Sequence, residues 1–336
     1  MKIHYISCHS VLEYDEVQLF TDLGHDVFSN GAYLHPEGAY TLPRPAIKGA
    51  QYHKEYADIA SITPKTALPD SLIKPFDVIV IMHSPEVLFQ NWQSFKRLGK
   101  RVIWRTIGQS VATIEHRVKA LKEEGLEIVR YSPKERNLAN YAGEDAMIRF
   151  YKDPEEFKGW TGDDRIVVNF SQSLKGRRDF CHYDEITQVM EGFDARIYGT
   201  GNDDLGALNG GEVPYDMQKR ILRRSRVMMY GGTWPASYTL SLMEAMMTGT
   251  PVVAIGAGLA NIPRFEQFDF YEVPDFIESG VNGFCHDDIA SLRNAVSALM
   301  TDLALAKKIS ENARKTAIEL FGKETIGKQW QEYLEK

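Results

Sequence analysis

The chain has 336 residues and 43% of them are hydrophobic, which is enough for two packed domains of ordinary size. Its formal charge is −7, from 39 basic and 46 acidic side chains, and this excludes a strongly cationic nucleic-acid-binding protein. The three cysteines are far apart and form no Cys-x-x-Cys pair, so neither a disulfide framework nor a zinc site is expected. The apolar runs are strand-sized and the N-terminus lacks the pattern of a signal peptide, so we expect a cytoplasmic protein without a transmembrane segment.

The first half of the chain predicts a doubly wound α/β domain. A strand over 2–7 leads to a helix over 13–23, and the run FDVIVIMHSP at 76–85 is apolar, as parallel strands buried on both faces are. Ligands of open α/β sheets bind outside the carboxyl ends of the strands. The loop after the first strand is therefore a candidate ligand site, although capping of the helix is an alternative role for its residues. These residues are His9, Ser10, Glu13, Tyr14 and Asp15.

A long irregular segment, further strands and a linker complete the first half. Residues 30–70 are rich in Gly, Pro, Tyr and His without a sustained period, which is typical of a functional loop. The strand and loop at 99–110 precede a helix to 124, the strand LEIVRYS, a helix from Pro133 and the strand AMIRFY. The polar residues 152–164 predict an interdomain linker. Packing within a surface loop is the alternative role for each candidate acceptor contact in this segment. These candidates are Tyr33, His35, Tyr40, Arg44 and Lys48.

The second half predicts another α/β domain, which is organised around a strand, loop, helix and strand at 229–258. The helix is expected to begin near Ser237, because a serine just after a proline is a good N-cap, and to end at Gly249. Its first turn follows a glycine-containing loop, so its unpaired N–H groups and positive dipole end suit a phosphate. Glu244 lies too far along this helix to act as a cap. A solvent-facing glutamate is the alternative role for it.

Two runs in this half, SLMEAMMTGTPVV and ESGVNGF at 278–284, resemble the donor-binding signature of GT-B glycosyltransferases of retaining family 4. Members carry two glutamates with seven residues between them. Glu244 matches the second, while the first falls on Ala236. GHDVF and His83, which follows DVIVIM, also resemble family patterns, and local packing in a loop is the alternative role for His83. The resemblance implies an α/β fold of GT-B type, with two Rossmann-like doubly wound domains facing a cleft. Residues 1–151 would be the acceptor side, 165–320 would bind the nucleotide sugar, and 321–336 would be a helix packing back on the first domain.

The resemblance also implies an enzyme that transfers a sugar from a nucleoside diphosphate sugar, with UDP favoured, to an acceptor hydroxyl with retention. Neither a metal nor a cofactor is expected, since GT-B enzymes stabilise the leaving diphosphate with cations and a helix end, and the sequence has no Asp-any-Asp pair. The acceptor stays open among a glycan, a small molecule, a lipid-linked sugar and modified DNA. The residues to which we assign catalytic roles are His83, Lys175, Arg178 and Asp15.

The remaining site residues follow from the same resemblance. Glu244 would bind the ribose hydroxyls, and Arg177 is an alternative to Lys175 and Arg178 as a phosphate ligand. The family pattern has a second histidine, and the corresponding position in this chain is near Thr106. The role of that histidine is therefore either absent here or taken by Arg105, Thr106 or Gln109. The donor-binding residues are Gln172, Lys175, Arg178, Tyr198, Gly199, Val213, Ser237, Tyr238, Thr239, Leu240 and Glu244. The acceptor-side residues are His9, Ser10, Glu13, Tyr14, Thr106 and Gln109.

Departures from the family pattern leave two alternatives open. The missing first glutamate and the glycine-free first loop also resemble divergent phage-type glycosyltransferases that act on a modified DNA base. A basic cluster would then follow the phosphate backbone, unless it is only a solvated helix end. Alternatively, the GT-B fold hosts sugar-nucleotide epimerases, and Ala236 favours a catalytically inactive sugar-nucleotide-binding subunit. The basic cluster consists of Lys96, Arg97, Lys100 and Arg101.

Overall fold

A computed structural model of the protein describes residues 1–34, 43–52, 67–260 and 269–336. These residues form two compact units. Unit 1 contains Met1–Tyr151 and Ile326–Lys336, and unit 2 contains Lys152–Thr325. His35 and Tyr40, which were candidate ligand contacts, lie outside the described residues.

Unit 1 is built on a parallel sheet of seven strands in the order β3-β2-β1-β4-β5-β6-β7. The order reverses between β1 and β4, where Ile3 pairs with Val78 and Ser7 pairs with Met82. The central strands are buried because helices cover both faces. The strands are β1 Lys2–Ser7, β2 Asp26–Ser29, β3 Gln51–Tyr52, β4 Val78–Met82, β5 Arg101–Arg105, β6 Glu127–Arg130 and β7 Ala146–Met147. The helices are α1 Ser10–Asp22, α2 Asp70–Ile73, α3 Pro85–Arg97, α4 Ala112–Glu123 and a 3-10 helix at Pro133–Asn137.

Unit 2 repeats this design with a parallel sheet in the order β10-β9-β8-β11-β12-β13, which reverses between β8 and β11. Its strands are β8 Asp164–Phe170, β9 Ala195–Tyr198, β10 Asn209–Gly211, β11 Ser225–Tyr230, β12 Val252–Ile255 and β13 Phe284–His286. Its helices are α5 Arg178–Cys181, α6 Tyr183–Met190, a 3-10 helix at Asp203–Leu208, α7 Tyr215–Arg224, α8 Leu240–Thr248, α9 Ala257–Ala260, α10 Val273–Phe276, α11 Ile289–Thr301 and α12 Leu303–Phe321.

The last helix, α13 at Lys323–Leu334, belongs to unit 1 from Ile326 onwards. Trp330 is fully buried and meets the ring of Phe20 edge-on at 4.9 Å. The Arg101 guanidinium donates to the carbonyl oxygens of Tyr333 and Leu334, at 3.0 and 2.7 Å. None of the helices within the described ranges is long and apolar enough to cross a membrane.

Some predicted boundaries of helices and strands are wrong. The helix expected near Ser237 begins at Leu240, because Thr239 is still extended and its N–H donates to the Tyr230 hydroxyl at 3.0 Å. The helix predicted from Pro133 is a 3-10 helix of five residues, and it ends because Leu138 is extended. The strand AMIRFY shortens to Ala146–Met147 at the sheet edge.

Candidate functional site

A pocket of about 340 Å³ lies in unit 2 beyond the carboxyl ends of two neighbouring strands. Gly231 follows β11 and Ala257 follows β12, and both line it. His182, between α5 and α6, lines it from the side of β8. Carboxyl ends of parallel strands near a reversal of strand order are the usual ligand site of open α/β sheets. The fold therefore places this pocket where a ligand is expected.

Small residues are required in the loops around this site. A Cβ on Gly231 would lie 2.6 Å from the Ile186 side chain. A Cβ on Gly199 would lie 2.5 Å from the carbonyl oxygen of Ser171, and its φ of 138° also disfavours any side chain. Glycine thus allows the loops after β8, β9 and β11 to approach their neighbours closely.

The pocket combines aromatic surface with polar groups, most of which are uncharged. Trp234 and Phe270 line it, together with Thr233 and Asp269. His182 is buried in a left-handed conformation, and desolvation lowers the pKa of its imidazole to about 4, so the ring is neutral at pH 7. This mixture suits a ligand with both apolar faces and hydroxyl groups.

Tyr271 is the polar residue of the pocket with an unmet hydrogen-bonding requirement. It is 8% exposed, and its hydroxyl finds no hydrogen-bond partner among the described residues. Burial raises the pKa of this phenol well above its usual value, so it stays protonated. A buried hydroxyl without a partner is unfavourable, and a ligand in the pocket would relieve this.

Ala236 also lines the pocket, at the position where the family pattern has a glutamate. Its methyl group presents no charge there. The next residues, Ser237 and Tyr238, are buried, and Tyr238 packs edge-on against Phe276 at 5.9 Å. Since the Thr239 N–H is already bonded to Tyr230, it is not available to a phosphate in this conformation. The N–H groups expected to bind phosphate are thus only partly available.

Glu244 is held inside unit 2 by two side chains that sequence reasoning missed. Its Oε1 accepts from Lys152 Nζ at 2.8 Å and its Oε2 from Gln218 Nε2 at 2.6 Å. The Glu244 and Lys152 side chains are only 4% and 0% exposed. The alternative of a solvent-facing glutamate is therefore wrong. Lys152 is the first residue of the predicted linker, where nothing in the composition indicates a buried cation.

The predicted phosphate-binding cations lie on the loop and helix after β8. Lys175 is 46% exposed and lies 3.5 Å from Asp204, while Arg178 makes a two-point contact with Asp184 at 2.8 and 2.5 Å. Exposed pairs of this kind are worth little, so both cations can exchange partners at low cost. Arg177 instead donates to Cys181 Sγ at 2.9 Å.

The other predicted donor residues surround the same edge of the sheet. Gln172 is half-buried in the loop after β8. Tyr198, at the end of β9, stacks on Phe170 with ring centroids 5.4 Å apart. Val213 is half-buried before α7, and Leu240 is half-buried at the start of α8. These residues and the pocket belong to one face of unit 2.

In unit 1, the loops after β1 and β4 leave the sheet side by side at its reversal of strand order. Cys8 N–H donates to Met82 O at 3.2 Å, and His9 caps α1 by accepting from Leu12 N–H through Nδ1 at 3.4 Å. His83 is buried with a φ of 45°, and its Nδ1 has no hydrogen-bond partner among the described residues. Desolvation lowers the pKa of His83 to about 4. This histidine is thus a neutral, unsatisfied group where a ligand is expected.

The acidic residues predicted beside it on α1 are buried. Glu13 is fully buried, and its Oε1 accepts from Gly31 N–H at 3.0 Å. Desolvation raises the pKa of Glu13 to about 8. Asp15 is 4% exposed, and Tyr14 packs on the neighbouring Tyr33 with the Arg44 guanidinium 5.0 Å from its ring.

The stability of Glu13→Gln relative to wild type should increase as the pH rises. The folded-state pKa is above the unfolded value, so the stability this carboxyl contributes is present at acid pH and is lost as the pH rises through about 8. We expect the advantage of Glu13→Gln in unfolding free energy to grow by roughly 1–3 kcal/mol between pH 5 and 8.5. Urea unfolding at both pH values measures it. Glu123→Gln, at an exposed position on α4, is the control, and a pH-independent difference for Glu13→Gln would contradict the argument.

The loop after β5 is tied into a buried network. The Thr106 hydroxyl donates to Glu135 Oε2 at 2.6 Å, and desolvation raises the pKa of Glu135 to about 7. Ser110 donates to Glu115, which also pairs with Arg130 at 2.7 Å. Thr106 therefore serves the structure, whereas Gln109 is exposed.

Arg105, which ends β5, is a structural residue of the same kind. Its guanidinium is 2.6 Å from Glu16 Oε1, and both side chains are 0% exposed. It also donates to the Ile148 carbonyl at 2.6 Å.

The four cations of the basic cluster, on and between α3 and β5, interact with other residues of unit 1. Lys96 pairs with Glu124 at 2.8 Å, and Arg97 pairs with Asp70 at 2.7 Å. Lys100 donates to the carbonyl oxygens of Lys74 and Phe76. Arg101 pairs with Glu127 at 2.7 Å. Each of the four cations thus has a partner within unit 1.

Among the described residues, no group of three or more His, Cys, Asp and Glu side chains is arranged to hold a metal ion. Unit 2 offers the exposed cations Lys175 and Arg178, the neutral imidazole of His182 and the unsatisfied hydroxyl of Tyr271. Unit 1, taken by itself, offers the neutral imidazole of His83.

The architecture of two doubly wound parallel sheets is α/β of the GT-B type, as predicted, and solved structures share it. HepE from Anabaena in complex with UDP and glucose is similar, with a TM-score of 0.71 and 16% identity over 100% of both chains. A glycosyltransferase from Rickettsia africae has a TM-score of 0.65 and 14% identity over 99% of this chain and 98% of that one. AviGT4, a glycosyltransferase involved in avilamycin A biosynthesis, has a TM-score of 0.63 and 15% identity over 100% and 97%.

The sequence matches no protein-family model, and no curated protein is significantly similar to it. The likeness to the solved structures therefore concerns the fold.

Proposed function

We propose that the protein is a glycosyltransferase that transfers a sugar from a UDP-sugar to an acceptor hydroxyl. Two observations together carry the proposal: the chain shares the fold of HepE, solved with UDP and glucose, over its full length, and it has a pocket at the carboxyl edge of its second sheet. Fold alone does not imply function, so the pocket is the necessary second element.

The cations after β8 suit the donor diphosphate. As the bond between the anomeric carbon and the phosphate oxygen breaks, the leaving nucleoside diphosphate gains negative charge. Lys175 and Arg178 are exposed enough to turn towards it, because their present carboxylate partners hold them weakly. They would stabilise the charge that develops in the transition state.

Glu244 is our candidate for binding the ribose hydroxyls, and Lys152 and Gln218 hold its carboxylate in place. A carboxylate has about four acceptor positions, and Lys152 and Gln218 occupy two of them. The remaining positions can accept ribose hydroxyls. Lys152 and Gln218 would then fix the orientation of the carboxylate.

Retention and metal independence also belong to this proposal. In a front-face reaction, the acceptor oxygen bonds to the anomeric carbon as the bond to phosphate breaks, and the acceptor proton passes to the leaving phosphate oxygen. This route needs no protein base. His83 would orient the acceptor or the sugar through its neutral imidazole, and His9, Ser10, Tyr14, Asp15 and Gln109 stay acceptor-side candidates.

A thermal-shift panel tests the proposal. The purified protein is incubated with UDP-, GDP-, ADP- and dTDP-sugars, each with Mg²⁺ and with EDTA. We expect stabilisation by the UDP-sugars in both conditions, because binding to the folded state raises its stability. If none of the nucleotide sugars raises the melting temperature, the proposal is wrong.

Replacing Lys175 by alanine should weaken UDP binding by roughly tenfold, since a charge-assisted hydrogen bond to phosphate is lost. Titration calorimetry measures the affinity. Lys158→Ala is the matched control, because Lys158 is a similarly exposed lysine of unit 2 that pairs with Glu155. Equal affinities for wild type and Lys175→Ala would remove Lys175 from the phosphate site.

A catalytically inactive sugar-nucleotide-binding protein is the second candidate, because Ala236 puts a methyl group in the pocket where the family pattern has a carboxylate. Release of free sugar from the bound donor in the absence of acceptor would contradict it. Binding without hydrolysis or transfer to any acceptor of a broad panel would support it.

A further inference from the structure

Two neighbouring ring nitrogens of unit 1 have no hydrogen-bond partner among the described residues. They are Nδ1 of His83 and Nε1 of Trp104. Both side chains are buried, with 8% and 0% exposure. A polar atom that leaves water without gaining a partner is unfavourable, so such atoms are uncommon in folded proteins. Two of them side by side therefore indicate a bound group.

The fold of unit 1 brings these two rings together. Trp104 on β5 pairs with Ile81 on β4, and His83 follows Ile81 by two residues, which places both side chains on the same face of the sheet. Their ring centroids are 5.5 Å apart, and the ring planes are inclined at 39°. Two N···O hydrogen bonds of about 2.9 Å each span up to about 5.8 Å. A single oxygen atom therefore suffices to bridge rings at this separation.

The chemistry of the two nitrogens specifies this oxygen. The indole N–H of Trp104 can only donate. Desolvation lowers the pKa of His83 to about 4, although the charges of Glu115 and Glu86 act in the opposite direction, so the imidazole is neutral at pH 7 and one of its nitrogens accepts. Only a water or a hydroxyl can accept from the indole and donate to the imidazole. Because Trp104 is fully buried, a water is the group that fits.

We propose that a bound water bridges Trp104 Nε1 and His83 Nδ1, and that Trp104 thereby positions His83 for the reaction. With Nδ1 accepting, the proton of the neutral ring is on Nε2, so His83 presents an N–H donor. The backbone of His83 is fixed too, because its N–H donates to the Arg105 carbonyl oxygen at 3.0 Å. The functional part of this inference rests on the proposed function: His83 donates to a substrate oxygen and does not remove its proton.

NMR of the full chain labelled with nitrogen-15 histidine tests the proposal at pH 7. Correlations between the ring nitrogens and the carbon-bound ring protons identify the tautomer of each histidine, and His83→Gln assigns the signals of His83. We expect the Nε2–H tautomer of His83 to predominate, because a nitrogen that carries a proton cannot accept from the water. A population of the Nδ1–H tautomer that equals or exceeds that of Nε2–H would overturn the proposal.

Trp104→Phe tests the link between the two rings. It keeps an aromatic ring and removes the N–H, so we expect the tautomer ratio of His83 to shift towards Nδ1–H by roughly 2- to 12-fold, as for the loss of one hydrogen bond. Trp330→Phe is the matched control, because it removes another fully buried indole N–H of unit 1 that has no partner among the described residues. It should leave the ratio unchanged. An unchanged ratio in Trp104→Phe would show that the indole does not position His83.

A measurement on wild type covers the case in which Trp104→Phe does not fold. Magnetisation transfer between a bound water and the indole proton of Trp104 should be detectable, since the proposed water accepts from this N–H. If the indole proton receives no magnetisation from water, the bridge is wrong.

These outcomes are separate from those of the proposed function. If no nucleotide sugar binds wild type while His83 and Trp104 behave as expected, the proposed function is wrong and the water bridge stands. If UDP-sugars bind but Trp104→Phe leaves the His83 tautomer ratio unchanged, only the positioning role of Trp104 is wrong.

Discussion

Replacing Lys152 by methionine is expected to lower the free energy of unfolding of unit 2 by about 3–5 kcal/mol. The change leaves the Glu244 carboxylate buried with only the hydrogen bond from Gln218, whereas in wild type Lys152 Nζ is 2.8 Å away. Urea unfolding measures the total loss, and hydrogen exchange of α8 shows whether it is centred there. A loss below 1 kcal/mol would contradict the assignment of a buried pair.

Two further variants control this prediction. Lys158→Met changes an exposed lysine of the same unit, paired with Glu155, and should cost less than about 1 kcal/mol. The double variant Lys152→Met with Glu244→Leu should recover most of the stability, because replacing a whole buried pair by apolar residues is often neutral. If the double variant is as unstable as Lys152→Met, packing rather than charge is responsible.

The same pair determines how a Glu244 variant is to be interpreted. Glu244→Ala leaves Lys152 buried without its counter-ion, so loss of UDP binding would follow from local unfolding alone. Comparison of UDP with 2′-deoxy-UDP in the stable double variant avoids this difficulty. If Glu244 contacts the ribose, wild type should discriminate between the two nucleotides and the double variant should not.

Replacing Arg105 by methionine is expected to lower the free energy of unfolding of unit 1 by about 3–5 kcal/mol. Its guanidinium donates to Glu16 and to the carbonyl oxygens of Ile148 and Arg149, so its loss leaves a buried carboxylate uncompensated and two acceptors without their donor. The Trp330 ring also lies 5.4 Å from the guanidinium carbon. Denaturant unfolding of the full chain measures the effect.

This prediction distinguishes a structural role of Arg105 in unit 1 from the role of the second family histidine in the transfer reaction. Arg97→Met is the matched control, because the Arg97 side chain is 57% exposed in its pair with Asp70, and it should cost less than about 1 kcal/mol. Arg105→Lys should give an intermediate loss, since lysine keeps the charge without the planar fork. If Arg105→Met keeps wild-type stability and only abolishes transfer, then Arg105 carries the role of the second family histidine.

Much of the fold follows from local pattern. The run VIVIM predicts a buried strand, and β4 at Val78–Met82 is completely buried. Gly249 predicts the end of a helix, and it caps α8 with a φ of 91°. These features can be predicted because they depend on the hydrophobic pattern and the backbone angles of a few adjacent residues.

The start of α8 was less predictable. A serine after a proline favours an N-cap, yet Ser237 is buried and its carbonyl oxygen accepts from Glu272 N–H at 3.1 Å. A residue 35 positions away in sequence therefore competes with the local capping preference, and the helix begins three residues later. Tertiary contacts override weak local propensities in this way.

The sequence by itself determined two doubly wound sheets, the loops after their strands and the positions of Glu244, Lys175 and His83 on those loops and helices. Only the tertiary structure decided that Glu244 pairs with Lys152, 92 residues away, and that His182 and Tyr271 line one pocket. The physical reason is that periodicity and propensity act over a few neighbouring residues. Pairing of buried charges and lining of a cavity depend on which distant segments the folded chain brings within hydrogen-bonding distance.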